Sequence, residues 1–453
     1  MAKPMSDIRR FIAALESAGD LRRISAPVDP DLEIAALTQR VGQGGESAPG
    51  LLFESPLGSR MKLATNLFGS SHRAALAWGV ADIEVLAARL RRELSLVPPG
   101  SAAQCLRQVL ARFAPAPAPN ASPLWRSAAA TLERVPALRC WPLESGPYLT
   151  LPVVITRHPV SGEVNYGLYR LQILGPDQAV IHWNAGAGSA AHHQAWRKAG
   201  EAMPMAVVLG APPALLAAAC MPLPAGIDEA DFAGYLTGES LPSTPGPLTG
   251  LPIPARAEIV LEGTVALDTR GHEGPFGNHT GRYVGPSMQP AFRLQALYHR
   301  PDPILPATVV GPPPMEDCYL AQVNSRLLLP LWALDHPQLL DIHFPLSGIF
   351  HGAALVSVPF GTGHELIKRL WQSEGFRRSR LLIACPPGID LQRPDQVYWH
   401  LLNSLDPARD LLVDNGRLGL DGARPRPGAS VAADAATAAL VTSRWKEYFP
   451  DAE

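Results

Sequence analysis

The sequence predicts a mixed α/β fold of α+β character in three parts: an N-terminal α/β lobe over residues 1–115, a β-dominated middle over 116–310 and a C-terminal α/β domain over 311–453. Three observations carry this. Helical spacing of apolar residues alternates with short apolar runs in the first third. From about residue 149 the texture shifts to brief β-rich runs separated by Gly and Pro. The last third returns to alternating strand-like and helix-like segments. A length of 453 residues suits two or three domains.

In chain order, residues 7–18 read as a helix, with Asp7 as cap and Ile8, Phe11, Ile12 and Leu15 on one face. A second helix is expected over 31–41, strands over 51–54 and 62–66, and a helix over 80–92. In the middle, 151–155, 167–174, 180–183 and 206–210 read as strands, with helices at 191–199 and 214–219. Residues 255–268 alternate with period two, and Ile259, Leu261, Gly263 and Val265 suggest one buried face. Runs 291–299 and 305–310 add strands to this barrel or sandwich. Beyond it, 339–344, 353–359 and 380–385 read as strands, 364–373 and 396–405 as helices, and 432–448 as a terminal helix. Proline-rich stretches at 114–123, 242–254 and 424–427 read as linkers or extended crossings.

Composition excludes several classes. A net charge of −2 provides no basic field for nucleic acid or anionic lipid. Five cysteines, none at metal-ligand spacing, argue against a disulfide framework or thiolate zinc site and fit a reducing compartment. No signal peptide is evident, and no uncharged apolar run reaches the roughly 18 residues of a membrane span, so a cytoplasmic location is the default expectation.

Three constellations carry chemistry. In Asn165–Arg170 (NYGLYR), an amide beside a Gly-interrupted strand and an Arg five residues on offer a neutral ligand, close backbone approach and a bidentate carboxylate clamp. The plainer reading is a strand ending in a surface Arg. In Cys220–Glu229 (CMPLPAGIDE), a rigid loop leads to an acidic pair at a helix start. Glu229 is a candidate hard-oxygen ligand for Mn²⁺ or Mg²⁺ or, more simply, a helix-dipole partner. In Glu273–Tyr283 (EGPFGNHTGRY), three glycines and a proline force a tight path bearing acid, amide, imidazole and guanidinium groups, more than a hairpin alone requires.

Together with the segments LLFESP at 51–56, NLFG at 66–69, VVLGAPP at 207–213, PARAEIVLEG at 254–263 and LDPARD at 405–410, these motifs resemble the UbiD family of reversible decarboxylases nearly end to end. The resemblance implies a central split β-barrel flavin-binding domain flanked by the N-terminal lobe and a C-terminal oligomerisation domain. It implies prenylated FMN made by a separate UbiX-type flavin prenyltransferase, held through Mn²⁺ or Mg²⁺ and K⁺. Cofactor contacts would come from Thr156, Asn165, Gly167, Leu168, Tyr169, Arg170, Cys220, Met221, Pro222, Glu229 and Arg417. Metal ligands would be Asn165, Glu229 and a His. The usual His position falls at Gly186, so His192 or its neighbour His193 is the candidate substitute, the alternative being a surface helix pair. The catalytic trio would be Arg170, Glu273 and a second acid, but that position is Asn278, which cannot donate a carboxyl proton. His279, Glu273 itself or a water held by Asn278 would have to serve.

The chemistry has a physical logic of its own. Removing CO₂ from an sp² carbon leaves an unstabilised anion, and no side chain is an electron sink for it. Arg170 would orient the carboxylate, and a desolvated Glu273 would have a raised pKa. The expected activity is decarboxylation of an aromatic, heteroaromatic or α,β-unsaturated acid by a homodimer or higher oligomer. The chain's brevity leans toward furan-, pyrrole- or indole-type acids. Two other readings stand beside it. One is a catalytically degenerate relative acting in assembly or regulation. The other is an ordinary FMN oxidoreductase, against which the lack of a G-x-G-x-x-G fingerprint argues.

Overall fold

The computed structural model describes residues 5–116, 121–184, 186–349, 352–425, 431 and 433–450. In the N-terminal lobe the helix Ile8–Ser17 begins where expected. Asp7 accepts the Arg10 amide, and Ile8, Phe11, Ile12 and Leu15 are buried. The second helix spans Glu33–Gly42. The helix expected over 80–92 runs instead over Glu84–Leu94, because Asp82 accepts the Glu84 amide and holds the preceding turn open. A further helix, Ala102–Phe113, was not anticipated, although its Ser101–Gln104 capping box is a sequence signature.

The lobe's four-stranded sheet contains Leu21–Ile24, Gly50–Phe53, Lys62–Thr65 and Ile304–Pro306 in that order. The last is the strand expected over 305–310. It is shorter than expected and pairs in parallel with Lys62–Thr65, so it belongs to this sheet and not to the central one.

The middle of the chain forms a nine-stranded, curled half-barrel. Its two long strands, Ile259–Glu273 and Ser287–His299, run antiparallel, with register shifts at Glu262/Gly263 and Val265/Arg270 that bend the ribbon. Gly263 permits one such bend, since an added Cβ would lie 1.9 Å from the Arg293 carbonyl oxygen. The alternation along this strand is real, but the expectation of a single buried face is corrected. Ile259, Leu261 and Val265 pack inside the half-barrel, while Val260 packs on the opposite face against the N-terminal lobe and helices.

The run expected over 167–174 breaks at Tyr169–Arg170 into two strands, Val164–Leu168 and Leu171–Ile173. The first is an edge of the sheet. The second lies next to the opposite edge strand, Tyr148–Leu149. Curling lets two consecutive strands occupy opposite ends, so Tyr169 and Arg170 cross the split of the half-barrel.

The largest element missed by sequence reasoning is the helix Glu316–Asp335. It is buried nearly all round, polar Glu316, Asn324 and Ser325 included, and contains Pro330, so no amphipathic stripe marks it. The C-terminal domain has a five-stranded sheet in the order Asp341–His343, Ala353–Ser357, Leu381–Cys385, Arg417–Asp421, Leu411–Asp414. The strands expected over 339–344 and 353–359 are thus present but shorter. The terminal helix expected over 432–448 is two helices, Ala435–Ser443 and Trp445–Tyr448, which bury none of their residues. Among the described residues no helix is long and apolar enough to cross a membrane.

Candidate active site at the split of the half-barrel

Arg170 and Glu273 meet at the split. Arg170 Nε donates to Glu273 Oε1 at 2.7 Å, and the guanidinium carbon lies 4.1 Å from the Phe276 ring centroid. Glu273 ends the longest strand and pairs in register with Ser287, whose hydroxyl donates to Oε2 at 3.1 Å. His182 follows the strand Gln178–Ile181, and its amide donates to the Arg170 carbonyl. Its Nδ1 lies 2.8 Å from Glu273 Oε2, 3.0 Å from Arg170 Nη2 and 3.1 Å from Gln289 Nε2.

The Glu273 side chain is 3 % exposed. Burial pushes its carboxyl upward, but hydrogen bonds from His182 and Arg170, with their charges, outweigh this and leave it below its ordinary value. The expected raised pKa is therefore corrected: desolvation is present, but two donors override it. His182, Ser287 and Gln289 were not found from the sequence. The available signal was position, since His182 closes a strand that is hydrogen-bonded beside Arg170.

His279 is half-buried, and its imidazole is held below its ordinary pKa by burial and then by the Arg170 charge. Asn278 has a local role. Its Oδ1 accepts the Thr280 amide and its carbonyl accepts the Gly281 amide, closing the hairpin turn. The hairpin rests on the segment 141–145, which no motif marked. Buried Glu144 accepts amides from Cys140, Trp141 and Gly277, and Gln172 Oε1 accepts that of Gly274.

A second cluster gathers at the edge strand Val164–Leu168 and its neighbour Val153–Arg157. Thr156 and Asn165 are register partners. Asn165 Nδ2 donates to Ser189 Oγ at 3.1 Å, and Thr156 Oγ1 lies 2.9 Å from His192 Nδ1. Tyr169 folds over Gly167, where a Cβ would fall 2.4 Å from the ring, and its hydroxyl bonds to Asn165 and Ser189. Asp228 caps the helix Glu229–Thr237, and Glu229 stands in its first turn as the dipole reading expects. Its Oε2 accepts the Tyr166 amide at 3.0 Å, which brings the carboxylate to the strand position beside Asn165. Burial pushes the Glu229 carboxyl up to about 8. A desolvated carboxylate with only backbone partners is one that a cation would relieve.

His192 and His193 are both buried, so they are not a surface pair. His193 Nε2 contacts the Ala266 carbonyl. At Gly186 an added Cβ would meet Arg377 Nη2 at 3.2 Å. At Gly188 it would lie 1.9 Å from Asn165 Oδ1, so Gly188, not Gly186, is the residue that faces Asn165. Among the described residues no three His, Cys, Asp or Glu side chains form a metal-sized group.

Of the remaining candidates, Met221 is buried and Pro222 exposed, while Cys220 Sγ turns inward to the Ala217 carbonyl and receives Asn324 Nδ2. Leu168 ends the edge strand. Arg417 sits in the C-terminal domain, paired with Asp414 and 4.8 Å from the Trp371 ring centroid, away from the other candidates described above.

Three family models cover most of the chain. The N-terminal domain of 3-octaprenyl-4-hydroxybenzoate carboxy-lyase matches residues 12–92, its Rift-related domain 112–313 and its C-terminal domain 318–435. An uncharacterized protein of Archaeoglobus fulgidus is 36% identical over 416 residues, covering 90% of this chain and 86% of its own. One of Aeropyrum pernix is 33% identical over 485 residues, covering 98% and 99%. Among solved structures, vanillic acid decarboxylase of Sedimentibacter hydroxybenzoicus in closed form superposes with a TM-score of 0.83 at 23% identity, covering 99% of each chain. An evolved dimeric form of the UbiD-class enzyme HmfF from Pelotomaculum thermopropionicum, in complex with prFMN, gives 0.79 at 23% identity, covering 94% of this chain and 97% of that one. The fold and domain content define a three-part carboxy-lyase architecture. More particularly, the chain belongs to the UbiD family.

Proposed function

We propose that this protein catalyses reversible, non-oxidative decarboxylation of an aromatic, heteroaromatic or α,β-unsaturated acid with prenylated FMN. The observation that carries the proposal is the Arg170–Glu273 pair at the split of the half-barrel, with Glu273 buried, together with the oxygen donors Asn165 and Glu229 on the strand leading into Arg170 and the helix packed on it.

The residues fit a phosphate-linked Mg²⁺ or Mn²⁺. Such ions favour oxygen ligands and are commonly held by one or two carboxylates together with phosphate oxygens and water. Glu229 and Asn165 Oδ1 would supply the protein's share, with His192 as a third candidate and K⁺ as a second cation. Thr156, Gly167, Leu168, Tyr169 and the loop Cys220–Pro222 would line the flavin, with Arg417 a candidate near its phosphate. When bound, prenylated FMN supplies the electron sink that side chains lack. The chain's own part is positional and acid–base. Arg170, held at Nε by Glu273 and against Phe276, presents a guanidinium of fixed orientation to the substrate carboxylate. Glu273, buried at the split and paired with Arg170 and His182, is placed to relay a proton toward the reacting carbon. The cofactor would come from a UbiX-type prenyltransferase, and the working unit would be at least a homodimer in the cytoplasm.

The test uses protein loaded with cofactor and a panel of benzoic, furoic, pyrrole-, indole- and cinnamic-type acids, followed by CO₂ release. Arg170→Ala should lower kcat/KM by roughly 10³-fold or more while flavin stays bound. Undiminished turnover in that variant would remove Arg170 from the mechanism. The degenerate-subunit reading draws on Asn278, and it predicts that wild type turns over none of these acids and that Glu273→Gln changes nothing.

A further inference from the structure

Resting on the decarboxylase reading, we infer that His182 shares a proton with Glu273 and so supplies the acid that Asn278 cannot.

His182 Nδ1 faces Glu273 Oε2 at 2.8 Å, Arg170 Nη2 at 3.0 Å and Gln289 Nε2 at 3.1 Å. A guanidinium only donates, an ionised carboxylate only accepts, and Nδ1 holds either one hydrogen or one lone pair. Protonated, Nδ1 satisfies Glu273 but confronts two donors. Bare, its single lone pair accepts one donor, and facing Glu273 at 2.8 Å it accepts from that carboxyl only if Glu273 itself carries the proton. The two arrangements differ by one proton moved across 2.8 Å. Neither disturbs the Arg170 Nε bond to Oε1 or the Ser287 bond to Oε2. The charged and titratable groups facing His182 are Arg170 and Glu273. Tyr148 and His279 lie beyond them, the first feeling the Glu273 charge and the second the Arg170 charge.

The proton balance closes. Imidazolium His182 passes its Nδ1 proton to Glu273 and becomes the neutral Nε2–H form. When the carbon–CO₂ bond breaks, the carbon takes the Glu273 proton, forming C–H and leaving the carboxylate. The His182 side chain is 24% exposed, so water restores the imidazolium. The sum consumes one proton per CO₂, as conversion of a carboxylate to its hydrocarbon requires. Glu273 touches the substrate, and His182 acts through it as a positioning residue.

The test has two arms on the full-length protein. The first needs no substrate. In the one-dimensional proton spectrum, wild type should show a far-downfield exchangeable resonance that disappears in both H182Q and E273Q. Its absence from wild type, or its survival in E273Q, would overturn the shared proton. The second arm uses whichever acid of the panel the cofactor-loaded wild type converts. His182→Gln should lower kcat by roughly 10²-fold, leave KM within about twofold and remove a limb of the kcat–pH profile. An unchanged kcat and profile would overturn the role. If wild type converts no acid yet the resonance behaves as stated, the shared proton stands and the decarboxylase reading falls.

Discussion

Glu273 and Glu316 are both buried carboxylates, and their environments push them in opposite directions. Glu273 is held below the ordinary value of 4.5 because donors outweigh desolvation. A depressed carboxyl stabilises the fold above its unfolded pKa, and that stability is lost as pH falls through the folded value. Glu273→Gln should therefore lower the melting temperature at pH 7, and the deficit should shrink on acidification below about 4.5. Glu316 is 2% exposed and pushed up to about 7 by burial, with the Phe68 amide as an opposing donor. A raised carboxyl binds more protons folded than unfolded between 4.5 and about 7, so stability falls as pH rises through that window. Glu316→Gln should flatten this loss, which amounts to at most about 3 kcal/mol, as read by urea unfolding at pH 4.5 and 8. At this scale the sequence was partly legible. Arg170 and Glu273 stand in motifs dense with functional groups, whereas His182 is a single residue whose significance comes from strands far apart in the chain. Glu144 was equally silent, because only the folded hairpin reveals what its oxygens accept.

The hairpin after Glu273 is the element on which the active geometry depends. Gly277 lies against the Trp141 indole, where an added Cβ would come within 1.8 Å of Cδ1, and the indole Nε1 donates to the Val310 carbonyl. The ring is pinned, so the strand must yield. Gly277→Ala should destabilise by about 1–3 kcal/mol. It should also lower kcat roughly 10²-fold through misplacement of Glu273 and His279, with flavin retained. Full activity with unchanged stability would show that the indole moves aside. Elements with strong periodicity or caps, such as Ile8–Ser17, were readable. The helix Glu316–Asp335 was not, because a segment buried all round has no stripe to read. The strand Ile304–Pro306 was readable as a strand, but its partner across about 240 residues was not.

On the scale of the whole molecule, the curled sheet is what turns neighbours in sequence into opposite walls of a site. Tyr169 and Arg170 cross its split, the long strand pair delivers Glu273, and the lobe and helices cover the outer face. The shift to β-rich texture near residue 149 disclosed this middle region. The texture left barrel and sandwich both open, because curling depends on bulges and on strand order, and the family resemblance alone favoured a split barrel. The terminal helices leave Leu440, Trp445, Tyr448 and Phe449 exposed. A chain truncated after Val431 should shift toward monomer in light scattering, and an unchanged mass would place the contact elsewhere.

The central claim is that the site holds prenylated FMN through a cation at Glu229. Its most direct test is co-expression with a flavin prenyltransferase, followed by absorption and mass spectra of the released cofactor and metal analysis. Wild type should yield a flavin heavier than FMN by the prenyl group with about one Mn²⁺ or Mg²⁺ per chain, and Glu229→Ala should lose both together. Wild-type protein free of flavin and metal, or a fully loaded Glu229→Ala variant, would contradict it.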